Sequence, residues 1–197
     1  MKAILISVKP QYVADILNGN KTLEIRKTMP KCDLPIDVYI YCTKGKLLCR
    51  CDFKDITPKI TEFAVDCPFA KGECGNILNG KVVAKFTLNK VGEIHCVAAS
   101  FTSKRIVDWN CDEFFAFEEH ACLTQEDLDK YLGKVKHSPQ GYAWRIDNLV
   151  VFDKPKELGK FSSKIEKACI CFNQFVAEGT RKIPLTKAPQ SWCYVEV

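Results

Sequence analysis

Apolar residues alternate at Ile4, Ile6 and Val8, and this spacing predicts a strand over AILISVK, residues 3–9. The period then lengthens. In KPQYVADILNG, Tyr12 or Val13, Ile16 and Leu17 recur at helical spacing, with Pro10 suited to the first turn and Gly19 to the C-cap. From Lys21 the alternation returns. In KTLEIRK, residues 21–27, Leu23 and Ile25 face one way and Thr22, Glu24 and Arg26 the other, so one face is wholly polar and carries both signs of charge. TMPKCDLP (28–35) is a turn-rich connector, and DVYIYCTK (37–44) and GKVVAKFTLNKV (80–91) predict strands, with EIHCV (93–97) extending the second. Residues 45–79 lack a core pattern and are expected to be an irregular insertion. Residues 101–120 mix aromatics and acids without a clean period. LTQEDLDKYLG (123–133) predicts a short helix, with Thr124 as N-cap, acids in the first turn and Gly133 at the end. GYAWRIDNLVVF (141–152) and SWCYVEV (191–197) predict strands, and IEKACICFNQF (165–175) fits helix or strand.

A strand, a helix, then many short strands with short helices predict an α+β fold: a small closed or half-closed β-barrel with flanking helices. A doubly wound parallel sheet would need more long helices between its strands. With 197 residues, 47% hydrophobic and 27% charged, one domain spanning 1–197 with an insertion at about 45–79 is expected. The apolar run Ala3–Ser7 is too short for a signal peptide or a membrane span, so a soluble, cytoplasmic protein with no membrane partner is expected. In that compartment the twelve cysteines read mainly as small buried hydrophobes, not as a disulfide framework.

The net charge of +5 is uneven. Residues 1–60 carry 11 Lys and Arg against 6 acids, and residues 149–197 carry 8 against 5, whereas residues 101–148 carry 6 against 9. If the two basic ends meet in space, they form a surface suited to phosphate. The acidic stretch 112–129 offers a different reading, a protein-interaction surface.

Phosphate-cradling glycine loops, a GxSxG elbow and an HExxH pair are all absent, and His95, His120 and His137 are far apart in sequence. Cys49, Cys51, Cys67 and Cys74 form a spacing that would let four thiolates hold a structural zinc, with Cys169 and Cys171 as alternative ligands. Lys21 directly follows the helix cap. As a nucleophile it needs its pKa to fall from about 10.4, which Arg26 and Lys27 favour and Glu24 opposes. For binding, Lys9, Lys21 and Arg26 can hold a phosphate, and Glu24 can accept a base amino group.

GNKTLEIRK resembles the GxKTxExR segment of ASCH domains, members of the PUA-like superfamily. SVKPQYVADILNG, VYIYCTK, GKVVAKFT, GYAWRIDNLVVFDKPKEL and APQSWCYVE resemble, in order, further segments of that family, the last of them the closing strand of its longer phage- and bacterium-associated members. The resemblance implies a PUA-like β-barrel with a cleft above the GxKTxExR strand that binds RNA or a modified nucleotide. Lys9, Lys21, Glu24, Arg26, Tyr41 and Lys44 are then the expected nucleic-acid-binding residues, with Trp144 and Trp192 as candidate aromatic walls. The alternative is a hydrolase. One ASCH branch resembles this chain at Lys21 and deacetylates N4-acetylcytidine, which would make Lys21, Thr22 and Glu24 catalytic; a ribonuclease is a further form of it. Those enzymes carry a threonine three residues after the lysine, where this chain has Glu24.

Overall fold

The computed structural model describes residues 2–51, 62–65, 77–99, 102–108, 117–133, 140–163, 167–172, 175–180 and 182–197. The first alternating segment forms β1 (Lys2–Val8), and Pro10 opens α1 (Pro10–Leu17), where its missing N–H leaves no bond unmade. Val13, Ala14, Ile16 and Leu17 place the apolar stripe of α1 inward. The helix ends at Asn18, and Gly19 follows at φ +80°, a left-handed conformation that a side chain would strain. The Asp15 carbonyl then accepts the N–H groups of Asn20 (2.9 Å) and Lys21 (3.0 Å), so the chain enters β2 (Leu23–Arg26) from a fixed point.

β3 (Ile36–Cys42) runs parallel to β1 on one side, and β15 (Trp192–Glu196) antiparallel to it on the other. With β6 (Val82–Leu88), β10 (Asp147–Lys156), β11 (Ser162–Ser163) and β14 (Ile183–Pro184) they form a seven-stranded sheet ordered β10-β6-β3-β1-β15-β11-β14. β2 instead joins β7 (Val91–Ala99), β8 (Thr102–Asp108) and β9 (Gly141–Arg145) in an antiparallel sheet ordered β2-β9-β7-β8. On one face of this smaller sheet, Leu23, Ile25, Ile94 and Ala143 pack against Phe117 and Ala121 of α2 (Phe117–Ala121) and Leu128 of α3 (Gln125–Leu132). Its other face meets the larger sheet, and Trp144 is fully buried with Ile4, Ile6, Val38, Ile40, Phe86 and the apolar face of α1. Burying each such large side chain stabilises the fold by about 2 kcal/mol.

The fold is α+β and PUA-like, as expected. Its barrel-like body is made by two sheets packed face to face; among the described residues the hydrogen-bonded ladder does not close into a ring. GYAWRIDNLVVF, expected as one strand, is two. β9 and β10 separate at Ile146 and enter different sheets, with Asn148 at φ +49°. The expected continuation of the 80–91 strand through EIHCV likewise breaks at Asn89 and Lys90, where β6 leaves the large sheet and β7 enters the small one. A two-residue change of sheet leaves the alternation intact, so the pattern reads through it.

The unpatterned segment 101–120 contributes β8 and α2, and the ambiguous one contributes β12 (Lys167–Phe172), paired with β13 (Phe175–Thr180). The expectation that 45–79 stays outside the core is corrected in part. Within it, β4 (Leu48–Cys51) pairs in parallel with β5 (Glu62–Val65), and Cys49 and Leu78 are fully buried beside α1. The Asn79 side chain fixes this turn, accepting from the Cys49 N–H and donating to the carbonyls of Thr43 and Leu47. The C-terminal strand lies inside the large sheet, registered on β1 from Ile6 opposite Trp192 to Lys2 opposite Glu196. Among the described residues no helix is long and apolar enough to cross a membrane.

Candidate functional site

The polar face of β2 points inward. Lys21, Glu24 and Arg26 are 2%, 6% and 5% exposed. Antiparallel pairing with β9 sets Glu24 opposite Trp144 and Arg26 opposite Tyr142, on the face turned toward the large sheet. Charges this deeply buried must be paired. Glu24 Oε1 lies 2.8 Å from Arg26 Nη2, and its Oε2 lies 3.6 Å from Lys21 Nζ. Arg26 Nη2 also donates to the Ser7 carbonyl (2.9 Å), and Nη1 donates to the carbonyl and hydroxyl of Ser191 (both 3.2 Å). One guanidinium therefore ties β2 of the small sheet to β1 and to the residue leading into β15. The fork of arginine donors suits it for this better than a lysine ammonium.

Lys21 Nζ donates to the carbonyl of Ala121, the last residue of α2, and lies 5.3 Å from the ring centroid of Tyr12. Burial pushes the Lys21 pKa down, while the neighbouring Glu24 carboxylate pulls it up and Arg26 lowers it further. Asp15 on α1 is held above the usual carboxylate range by burial, against the pull of Lys21. The trio carries a net charge of +1. One of its polar atoms is unsatisfied: Arg26 Nε is buried without a hydrogen-bond partner, whereas the Glu24 carboxylate is matched by Arg26 at 2.8 Å and by Lys21 at 3.6 Å.

Two tyrosines flank this charged floor. The half-buried Tyr12 of α1 has its phenol pushed up by burial and then by the charge of Asp127. The phenol of Tyr131, on α3, is pushed up by burial, lowered by Arg26 and raised by Glu24, and its ring lies 5.3 Å from Lys27 Nζ. Asp127 and Thr124 form the reciprocal cap expected of Thr124. The Thr124 N–H and hydroxyl donate to Asp127 Oδ2 (3.1 and 2.7 Å), and the Asp127 N–H donates to the Thr124 hydroxyl oxygen (3.1 Å). The exposed Lys9, the N-cap residue of α1, helps hold Asp127 below its ordinary value, behind the effects of Thr124 and Lys130. Tyr12, Tyr131 and Asp127 carry no signal of this role in the sequence, where they read as helix-face and capping residues.

The structure brings together Lys21, Glu24 and Arg26, sets the exposed Lys9 within electrostatic reach of Asp127, and separates the other expected site residues. Thr22 is exposed, and its hydroxyl pairs with His120 Nδ1 at 3.2 Å. Tyr41 and Lys44 belong to a second cavity, where Ser7 also lies; Tyr41 packs with Leu5, Tyr39 and Phe161 on the sheet face opposite Ile4 and Ile6. Trp144 is core and not a wall, packed edge-on against Trp192 at 5.6 Å; Trp192 Nε1 donates to the Thr28 hydroxyl. Of the four expected zinc ligands, Cys49 is buried against Cys42. That hydrogen bond, then burial, holds its thiol protonated. Cys67, Cys74 and the side chain of Cys51 lie outside the described residues, as do residues 112–116 of the acidic stretch.

A family model for the ASCH domain matches residues 6–156. Among solved structures the chain is similar to a point mutant of an ASCH protein from Zymomonas mobilis, at 14% identity and a TM-score of 0.47 over 100% of this chain and 91% of that one. It is also similar to ASCH from Zymomonas mobilis, at 14% identity and a TM-score of 0.45 over 98% and 87% of the two chains. No curated protein matches.

Proposed function

Because the chain belongs to the ASCH domain family, we propose that the cleft over Lys21, Glu24 and Arg26 binds RNA or a modified nucleotide through a base that carries an amino group. The observation that carries this reading is the Glu24 carboxylate, on a residue 6% exposed, which meets Arg26 at 2.8 Å through Oε1 and Lys21 at 3.6 Å, beyond hydrogen-bond length, through Oε2. A carboxylate oxygen accepts more than one hydrogen bond, so Glu24 retains acceptor capacity beside its ion pairs, and an exocyclic amine supplies a further donor. Tyr12, 5.3 Å from Lys21 Nζ, and Tyr131, 5.3 Å from Lys27 Nζ, would offer aromatic faces to a base, and Lys9 and Lys27 cations to its phosphates. Arg26 positions the carboxylate and is not itself the anion ligand, since both its terminal nitrogens are engaged by protein atoms. The test is calorimetric titration with cytidine, adenosine, guanosine and uridine monophosphates. Binding of the three amino-bearing bases in preference to uridine, weakened about tenfold by Glu24→Gln, is expected. Equal binding of all four, unchanged in the variant, removes Glu24 from recognition.

One observation favours hydrolysis of an acylated nucleoside. Burial moves Lys21 toward its neutral, nucleophilic form. Its neutral amine would attack the acyl carbon, the nucleobase amine would leave carrying the proton, and water would then cleave the acyl–Lys21 amide, releasing the carboxylic acid and the free amine. The Thr22 hydroxyl, paired with His120, is not the group that faces Lys21. Incubation with N4-acetylcytidine decides the point: turnover that vanishes in Lys21→Ala makes the cleft catalytic.

A further inference from the structure

We infer that the chain carries a second site, a phosphate-binding groove on the far side of β1, which takes the backbone of an oligonucleotide whose base occupies the cleft. The inference rests on the cleft reading above. The groove has a volume of about 570 Å³, within the range of ligand sites. Tyr41 lies in its wall, and its sides come from the two basic ends of the chain: Thr43 and Lys44 after β3, and Thr186, Lys187 and Gln190 in the segment before β15. The two ends therefore do meet, as the charge distribution requires for a phosphate surface.

Three observations give the groove its chemistry. Lys44 and Lys187 project from separate loops onto one space, and neither has an acidic partner among the described residues. The single acid of the lining, Glu157, is neutralised by Lys81. The stem of Lys44 lies over Gly80, whose φ of +83° favours glycine there. The groove is thus a cationic, hydroxyl-lined concavity, which suits a phosphodiester over a cationic or apolar ligand.

The backbone also joins the groove to the cleft. The Ser7 carbonyl receives Arg26, while the Ser7 hydroxyl donates to the Pro189 carbonyl (2.7 Å) and the Ser7 N–H to the Ser191 carbonyl (2.9 Å). Ser191 in turn receives Arg26. The segment 186–191 therefore lines the groove at one end and anchors Arg26 at the other.

The experiment is fluorescence anisotropy with a labelled single-stranded oligoribonucleotide, set beside calorimetry with a nucleoside monophosphate. Lys44→Ala/Lys187→Ala is expected to weaken the oligonucleotide about tenfold and to flatten its salt dependence by roughly 1.4 in log–log slope, the loss of two phosphate contacts. The monophosphate affinity stays unchanged. Gly159→Glu, at a groove position with nothing within 4 Å of an added Cβ, brings a carboxylate to the rim and weakens the oligonucleotide in the same way. Wild-type oligonucleotide affinity and slope in both variants overturns the groove and leaves the cleft standing. A wild-type protein that binds monophosphate but gains nothing from a longer chain does the same, and one that binds neither overturns both.

Discussion

Arg26 and Lys44 are cations that flank the same strand, β1, from opposite sides. Arg26 is 5% exposed and held by Glu24, Ser7 and Ser191; Lys44 is exposed and leans over a glycine, with no ion pair to an acid among the described residues. The difference is one of solvation. A charge removed from water must be matched atom by atom, and it then fixes geometry. A charge left in water costs the fold little and acts at a distance, in proportion to how little salt screens it. The cleft therefore suits selection between bases and the groove suits attraction of a backbone.

The comparison breaks most completely if its shared support is removed. β15 pairs with β1, and the residue before it accepts Arg26 on one side and leads into the groove segment on the other. Deletion of residues 192–197 opens the centre of the large sheet and is expected to abolish cooperative unfolding, measured by circular dichroism during a thermal ramp. A truncated chain that still melts cooperatively would show that β1 does not need this partner.

Next in size is the buried side of the comparison. Arg26→Met removes the cation that matches Glu24 and links the two sheets, and it is expected to destabilise the protein by about 3 kcal/mol in urea unfolding. Lys21 remains near Glu24, which keeps the loss from being larger. A loss below about 1 kcal/mol would place Arg26 among ordinary surface pairs.

That distinction between buried and open charges was half legible in the sequence. The alternation of KTLEIRK assigned Glu24 and Arg26 to one face, but alternation is silent on whether a polar face meets water or a second sheet. Burial came from β9 and β15, which lie more than a hundred residues away in the chain. Tyr41 and Lys44 were grouped with the cleft for the same reason: residues at the end of β3, which pairs with β1, can lie on either face of the sheet. The splits at Ile146 and at Asn89 and Lys90 were invisible because a sheet change preserves period two. What was legible was local: the Gly19 cap, the Thr124 cap and the closing strand each follow from residues within one turn or one strand. Tyr131 was hidden because an aromatic on an amphipathic helix reads as core.

The comparison sharpens with pH. Burial lowers the Lys21 pKa below its ordinary 10.5. Between the lowered value and 10.5 the unfolded chain binds more protons at this position than the folded one, so stability rises with pH through that window and the cost of burying the ammonium fades. Below the window the cost is constant. Lys21→Met lacks the titrating group, so the wild type gains on the variant as alkaline pH increases, measured by urea unfolding at a series of pH values. Parallel curves would mean that Lys21 titrates alike in both states.

The smallest effect is expected on the open side. Lys44 and Lys187 are exposed, make no ion pair among the described residues and bury no apolar surface that the fold depends on. Replacing both with alanine removes two charges from a chain of net +5 and relieves repulsion across the groove. The unfolding free energy should therefore stay within about 0.5 kcal/mol of wild type, or rise slightly at low salt, where the relieved repulsion is least screened. The same urea titration that reads the Arg26→Met loss reads this near-zero change. A destabilisation of the double variant comparable to that of Arg26→Met would mean that the groove lysines hold the 186–191 segment in place, and the division between a structural cleft and an attracting groove would fail.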